Sequence, residues 1–471
     1  MPRNSRKPQN PTPSLITRRE ANSLAATAAA AAVFAPRIQT VKAANSQLQF
    51  AVIGVGGRGQ YHVQHWNNVD GARCMAVCDI DEANLRKGQS ISKDKPEAIK
   101  DYREVLARKD IEAVLIATPL YTHFPITKDA LLAGKHVFCE KSLVFTPQEV
   151  FELRQLATER PKQVLQTGLQ RRYSQFYQTA KQMVDQGLIG RVTHVYAQWH
   201  RNSLGKTWQP PSWRVFRKYS GGLTAELASH QVDVADWMIG SHPEYVTGVG
   251  GIDEYKDGRD VYDNIQLIFK YPGGQKLMYS SISTNQHLAL FGSTRTQFGE
   301  MIMGTDGTIH ITVGTDNEPA TAMWFYEPGP KKAQPAGSEK EKSAKASASL
   351  TSTGKGGKGL PVLFDDEKVK DSDSFLAKEM KFAKMWLYKK GVMVPEETKN
   401  PVDVQLEGFV ESCRTGARPK ADLEIGLEDS TNVILANLAM DEGRRVYMTE
   451  IDKLAGRTPT APPEKAKKAA G

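Results

Sequence analysis

Leu48-Gln49-Phe50-Ala51-Val52-Ile53-Gly54-Val55-Gly56-Gly57-Arg58-Gly59 decides how this chain of 471 residues folds. Phe50 to Ile53 is a short apolar run, too short for a helix and ended by Gly54, so it reads as a buried parallel strand. Gly54, Gly56 and Gly59 then give the spacing G-x-G-x-x-G. Gly54 permits a tight turn, Gly56 lets a pyrophosphate approach the backbone, and Gly59 lets the next helix pack closely on the strand. The helix expected over Gly59 to Val69 aims its free N–H groups and positive dipole end at the phosphates. A glycine turn can be merely structural. Here a strand precedes it, a helix follows, and a second strand, Arg73 to Cys78, ends in Asp79, 20 residues past Gly59, so a dinucleotide site is expected. A carboxylate at Asp79 accepts from both ribose hydroxyls of NAD and repels the 2′-phosphate of NADP, which leaves NADP possible only if Arg58 or Arg86 neutralises that phosphate.

Length and composition set the frame. The chain has room for about two or three domains, and 40% hydrophobic with 24% charged residues is ordinary for a globular protein. No apolar run reaches membrane-spanning length. The net charge of +9 sits at the ends: residues 1–44 hold seven Lys/Arg against Glu20, the last fifteen residues add +3, and the body between is near neutral. A basic groove for nucleic acid is therefore not expected. Thr17-Arg18-Arg19, the alanine-dominated stretch Leu24 to Ala35, and the small residues Ala43 and Ala44 read as an export signal that resembles the twin-arginine type. That makes the protein periplasmic or otherwise exported; if the signal is not functional, residues 1–44 are a disordered extension of a cytoplasmic protein. Of the four cysteines, Cys74, Cys78 and Cys139 fall in expected strands, as buried thiols do, so neither a disulfide framework nor a metal site is inferred.

After Asp79 the α/β alternation continues. Glu82 to Ser92 and Asp101 to Lys109 read as helices, Ile111 to Ala117 as a strand, Phe124 to Ala133 as a helix, and Lys135 to Cys139 as a strand. Ligands bind at the carboxyl ends of such strands, which places Thr118, Pro119 and Glu140-Lys141-Ser142 against the cofactor. His123 either joins them or caps the following helix. Gly57, Arg58 and Gln170 complete the candidates for cofactor contact.

The glycine turn, Ala117-Thr118-Pro119 with His123, and Gly134-Lys135-His136-Val137-x-x-Glu140-Lys141 together resemble the Gfo/Idh/MocA family of sugar and polyol oxidoreductases. Ser142 stands where that family usually has a proline, commonly after a cis peptide. The resemblance implies a Rossmann domain, a doubly wound parallel sheet, over residues 45–168. It also implies an α+β substrate domain over 169–456 with a large, mainly antiparallel open sheet. Strands are expected at Arg191 to His200, Tyr245 to Gly250, Asn264 to Lys270, Lys276 to Ser283, Gln297 to Met303 and Gly307 to Val313. Residues 327–360 read as a disordered insertion and 457–471 as a loose tail, while 403–414 and 425–443 are amphipathic helices. An open sheet of this kind often buries its outer face on another subunit, so a homo-oligomer is expected.

Chemistry is expected on Gly221-Gly222-Leu223-Thr224-Ala225-Glu226-Leu227-Ala228-Ser229-His230-Gln231-Val232-Asp233. In a helix, Glu226 and His230 stand four apart on one face with Asp233 a turn further, a set suited to proton transfer; a charged, solvated face is the alternative. The family's usual Asp-x-x-x-His is matched by Glu226 and His230. Oxidising a secondary alcohol needs a base for the hydroxyl proton, assigned here to His230 with Glu226 orienting it, while Lys141 stabilises developing negative charge on oxygen. Arg171 matches a substrate-pocket position of the family, and His200, Trp208, Trp213, Arg214 and Asp233 are further candidates for substrate contact. The expected activity is NAD-dependent oxidation of a sugar, polyol or sugar acid. The alternatives are glycoside cleavage through transient oxidation with no net NADH, and a non-catalytic protein that binds NAD and sugar.

Overall fold

The computed structural model describes residues 47–200, 208–283, 298–313, 320–326, 359–361, 397 and 399–458. The expected export signal, residues 327–358 of the expected insertion and the tail from 459 lie outside the described residues.

Strands β1 (Leu48–Ile53), β2 (Ala72–Cys78), β3 (Glu97–Ile99), β4 (Ala113–Ile116), β5 (His136–Cys139) and β6 (Leu165–Thr167) form a six-stranded sheet in the order β3-β2-β1-β4-β5-β6, with every pairing parallel. This order reverses direction at β1, which opens a crevice beside the carboxyl ends of β1 and β4. Alternation along β1 divides the core: Leu48, Phe50 and Val52 face one helical layer, Ala51 and Ile53 the other. Helices α1 (Gly57–Trp66), α2 (Glu82–Ile91), α3 (Tyr102–Ala107), α4 (His123–Leu132) and α5 (Pro147–Thr158) make the crossovers. Three of these starts are capped locally: Asp81 and Asp101 accept from first-turn N–H groups, and Thr146 with Glu149 forms a capping box ahead of Pro147. Cys74, Cys78 and Cys139 are buried in these strands, and burial pushes the Cys78 and Cys139 thiols up to about 12.

After α6 (Gln175–Asp185) the chain enters a nine-stranded sheet built from β7 (Val192–His200), β8 (Tyr245–Gly251), β9 (Asn264–Lys270), β10 (Lys276–Ile282), β11 (Phe298–Gly304), β12 (Thr308–Val313), β13 (Ala320–Tyr326), β14 (Gly359–Pro361) and β15 (Val446–Tyr447). The order is β14-β13-β12-β11-β7-β10-β9-β8-β15, antiparallel except for β7 with β10. The six strands expected from alternation are present within about two residues. Gly359 and Leu360, expected in a disordered insertion, instead pair with β13. The inner face carries Val195, Ala197, Trp199, Ile265, Leu267 and Phe269 against α6, α7 (Ser229–Ile239) and α9 (Leu423–Glu442).

One boundary differs from expectation. Helix α8 (Pro401–Thr415), placed by sequence in the second domain, sends Val402, Leu406 and Phe409 into the core of the first. His65 Nδ1 lies 2.6 Å from Asp403 Oδ1, and Arg414 pairs with Glu112 at 2.8 Å, fastening α8 over α1 and the edge of β1. Helix α9 then spans both halves, with Leu427 in one core and Leu435, Ala436 and Ala439 in the other. A helix that is apolar on most of its circumference needs such two-sided cover. The short α10 (Glu450–Leu454) ends the described chain near α5. No helix among the described residues is long and apolar enough to cross a membrane.

Candidate functional site

A cleft of about 820 Å³ runs from the glycine turn, across the carboxyl ends of β1 and β4, to the start of α7. Gly54, at φ +86°, takes the left-handed conformation the turn requires. A Cβ on Gly59 would lie 1.8 Å from the carbonyl oxygen of Gly54, so only glycine allows α1 to start so close to β1. The first turn of α1 is capped by Gly56 without any side-chain acceptor, and Gly56, Gly57 and Arg58 line the cleft. Free N–H groups at a helix start, facing open space, fit a pyrophosphate.

At the adenosine end the Asp79 carboxylate is held by the N–H of Val55 (2.9 Å) and of Asp81 (2.9 Å). Ile80, 89% exposed, lies beside it with Asp81, Asn84 and Lys100 on the cleft wall. The arginines that would neutralise a 2′-phosphate are engaged elsewhere. Arg58 donates to Glu140 (2.8 Å) and Gln170 (2.6 Å), and Arg86 leans on Glu82 at 3.7 Å. The site thus fits NAD better than NADP.

The middle of the cleft is a buried network around Glu140. Its Oε1 accepts from Arg58 and from His62 Nε2 at 2.7 Å. Burial would raise this carboxyl, but Arg58 and His62 more than offset it and hold it well below its ordinary value. Burial, with Arg58, pushes His62 down to about 4, so neutral His62 donates. His123 lies at the cleft, and its side chain does not cap the helix. It opens α4 and lines the cleft, with Nδ1 2.8 Å from the Ser142 carbonyl and Nε2 2.9 Å from the Thr118 carbonyl. It therefore ties the loop after β4 to the loop after β5. The Lys141–Ser142 peptide is cis.

At the far end, Thr224–Ala228 is a π-helical turn rather than the regular α-helix expected there. A π turn closes carbonyl i on N–H i+5, which changes where its carbonyls point, and such turns recur at functional sites. The Ala225 and Glu226 carbonyls accept from Lys141 Nζ, at 3.2 and 2.7 Å. Burial lowers the Lys141 pKa from its ordinary value, opposed by Glu226 and Glu140. His230 lines the cleft with its ring stacked on Trp199 at 5.8 Å and 24°. Burial, Lys141 and Arg171 hold its pKa well below the ordinary value, and its Nδ1 is buried with no partner among the described residues. Glu226 does not orient it as expected: the Glu226 carboxylate points to Arg214, Oε2 to Nε at 3.4 Å. Although burial would raise the Glu226 carboxyl, Arg214 and Lys141 bring it below the ordinary value.

Sixteen of the expected positions line this one cleft: Gly54, Gly56, Gly57, Arg58, Asp79, Thr118, Pro119, His123, Glu140, Lys141, Gln170, Trp208, Trp213, Arg214, Glu226 and His230. Three substrate candidates are placed elsewhere. Arg171 is buried in an ion pair with Glu300, whose other oxygen accepts from Tyr177 at 2.7 Å. Asp233 is paired with Arg172 at 2.7 Å, and His200 is buried on β7 against Ser280 at 3.2 Å. Sequence reasoning missed Trp199, Tyr61, Asn84 and Tyr121 on the cleft wall. Alternation along β7 was the available signal for Trp199, since it puts residue 199 on the same face as Val195 and Ala197.

A Rossmann sheet, an acid-ended second strand, and a lysine facing a histidine at the far end define a two-domain nucleotide-dependent protein of dehydrogenase type. Two family models match: an oxidoreductase family with an NAD-binding Rossmann fold, over residues 48–168, and the GFO/IDH/MocA C-terminal domain, over 177–310. The chain belongs to the GFO/IDH/MocA oxidoreductase family. It is 32% identical over 254 residues to glycosyl hydrolase family 109 protein 2 of Shewanella sp. (strain ANA-3), covering 48% of this chain and 54% of that protein. It is 30% identical over 195 residues to an inositol 2-dehydrogenase of Burkholderia cenocepacia (strain HI2424), covering 41% of this chain and 55% of that one. The chain thus spans about half the length of these curated relatives. Its fold matches the crystal structure of aldose-aldose oxidoreductase from Caulobacter crescentus complexed with glycerol, with a TM-score of 0.63 at 19% identity, over 85% of this chain and 99% of that one.

Proposed function

We propose that this protein oxidises a secondary alcohol of a sugar, polyol or sugar acid, using NAD held in the cleft. One observation carries the reading: Lys141 Nζ is anchored on two carbonyls of the π turn, beside His230, at the end of the dinucleotide crevice. Bound nicotinamide supplies the redox step by accepting a hydride from the carbinol carbon. The protein handles the proton. A neutral amine on two carbonyls keeps both N–H bonds and turns its lone pair to the substrate hydroxyl; after taking that proton, it donates to the oxygen it has helped to strip. This reassigns the base. Buried His230, its proton affinity reduced, acts as a neutral partner that orients the hydroxyl, and Lys141 receives the proton.

The test is a panel of sugars and polyols with NAD, read at the nicotinamide absorbance, with Lys141→Ala beside the wild type. Stoichiometric NADH in the wild type, lost in the variant with NADH affinity retained, supports the reading. Turnover that survives Lys141→Ala defeats it. A second reading is favoured by the relatives named as glycosyl hydrolase family 109 proteins: oxidation acidifies a neighbouring C–H, elimination expels the aglycone, and the retained cofactor restores the alcohol. Aglycone release without net NADH selects it. A protein that binds NAD and sugar, with no change when Lys141 or His230 is replaced, is the non-catalytic case.

Two further features belong to the same reading. Residues 1–44 are read as an export signal, so an exported enzyme would carry its NAD with it; native mass spectrometry showing no retained nucleotide would count against this. A homo-oligomer is read from the outer face of the large sheet, where Val249 and Ile268 are 64% and 45% exposed and Ile268, Met278, Tyr196 and Met301 stand in register across four strands. A monomer in light scattering would refute it.

A further inference from the structure

At the reacting end, Arg214 has a hydrogen-bonding fork that is unfinished among the described residues. Its backbone is pinned on both sides, with the N–H donating to Ser212 Oγ at 3.4 Å and the carbonyl accepting from Ser220 Oγ at 2.9 Å. Its guanidinium carbon stands 4.5 Å from the centroid of the Trp213 ring, which supports the flat face of the group. Its contact with Glu226 runs through Nε alone, at 3.4 Å, longer than an ordinary hydrogen bond. Among the described residues, neither Nη1 nor Nη2 has a partner. The side chain nevertheless lines the cleft, 27% exposed. A guanidinium held at its root and on one face, with its outer fork open, offers two parallel N–H donors. Two coplanar oxygens of one carboxylate fit that fork, whereas a single hydroxyl uses half of it.

Charge points the same way. Glu140 is already balanced by Arg58, so with Lys141 in the neutral form that accepts the proton, the charges left around the reacting carbon are Arg214 and Glu226. These two offset each other, and oxidised nicotinamide adds a positive charge that an anionic substrate would balance. Position adds a constraint. The Glu226 carbonyl holds Lys141 while its carboxylate touches Arg214, so the amine and the guanidinium sit on opposite ends of one residue. An anion bound at Arg214 would therefore lie only a few bonds from the hydroxyl that meets Lys141.

We propose that the substrate is an acid, a polyhydroxy carboxylate such as a uronate or aldonate, whose carboxylate is received by the Nη1/Nη2 fork of Arg214 while a nearby hydroxyl meets Lys141. This rests on the cleft being the NAD-dependent site proposed above. Trp199, Trp208 and Trp213 then cover the carbon skeleton.

The experiment uses the full chain loaded with NADH and measures binding by calorimetry for matched pairs: D-glucuronate against D-glucose, D-galacturonate against D-galactose, and D-gluconate against D-glucitol. A charged hydrogen-bonded pair of this kind is worth about 1.5–3 kcal/mol, so at least one acid is expected to bind about 10- to 100-fold tighter than its neutral partner. Arg214→Gln should abolish the preference. Arg214→Lys, which keeps the charge and loses the fork, should retain part of it. Neutral sugars binding as well as their acids, a preference that survives Arg214→Gln, or no binding by any acid while NADH binds, each overturns the proposal and leaves the NAD reading standing. Failure to bind NADH overturns that reading, and this inference with it.

Discussion

Lys141 is where the sequence and the geometry meet on one atom. Its two carbonyl acceptors fix the third tetrahedral direction of Nζ, and burial makes the neutral amine reachable below its ordinary range near about 10.4. The pH dependence follows from the sign of that shift. In the oxidation direction the reactive form is the deprotonated amine, so kcat/KM rises with pH on a limb centred below the ordinary lysine value. His230, already neutral through the physiological range, adds no limb between pH 6 and 8. The rising limb should survive in His230→Asn at reduced rate and be absent from the residual activity of Lys141→Met. A limb that moves with His230 instead would restore the histidine as base. Lys141 could be named from its place at the end of a strand, and Glu226 and His230 from their four-residue spacing, with the family resemblance matching all three to a site. The partner of the Glu226 carboxylate could not, since Arg214 comes from a separate loop and only the fold sets the two side by side.

At the level of elements, the turn between β1 and α1 is specified by its own residues, and the π turn is not. Hydrophobic period and glycine spacing report a strand, a tight turn and a helix in sequence. Nothing in Thr224 to Ala228 distinguishes i→i+5 from i→i+4 closure, and the groups that meet the turn come from far along the chain: Lys141 on its carbonyls and Asn437, which meets the Thr224 hydroxyl at 2.5 Å. The same reason hid the destination of α8, an amphipathic helix whose apolar face is legible and whose docking surface is not. The glycine turn yields a sharp prediction. In Gly59→Ala the new methyl would meet the Gly54 carbonyl oxygen at 1.8 Å, and because that neighbour is backbone, no flexible side chain can yield. Helix α1 must move away from β1, carrying its free N–H groups off the phosphates. We expect a loss of about 2 kcal/mol or more in chemical denaturation and a larger proportional loss of NADH affinity than in any cleft substitution at Arg214. An unchanged midpoint with normal NADH binding would show that the close approach is not required.

Across the whole molecule, strand order and domain sequence were readable because parallel strands run apolar and antiparallel ones alternate, while the interleaving of α8 and α9 between the two halves depends on contacts far apart in sequence. Folding buries ionisable groups of both kinds, and their effects on stability oppose each other. Burial pushes His62, His200 and His310 down to about 4. The unfolded chain, titrating near about 6.5, takes up these protons first, so the histidines' contribution is fully present above that pH and is lost as pH falls toward 4. Glu397 runs the other way. Burial lifts it to about 7 despite hydrogen bonds from Ser174 Oγ (2.9 Å) and the N–H of Gln175 (3.1 Å) at the start of α6. Its folded form holds a proton that the unfolded chain releases near about 4.3, so its contribution is present at low pH and is lost as pH rises through about 7. Comparing variants isolates each group from the rest. Between pH 4.5 and 8, Glu397→Gln should gain stability relative to the wild type, on the order of 1–3 kcal/mol in urea titrations. Between pH 6.5 and 4, His62→Gln, which keeps an N–H for Glu140, should lose less than the wild type. Parallel wild-type and variant curves over either window would mean that the group titrates as it does in the open chain.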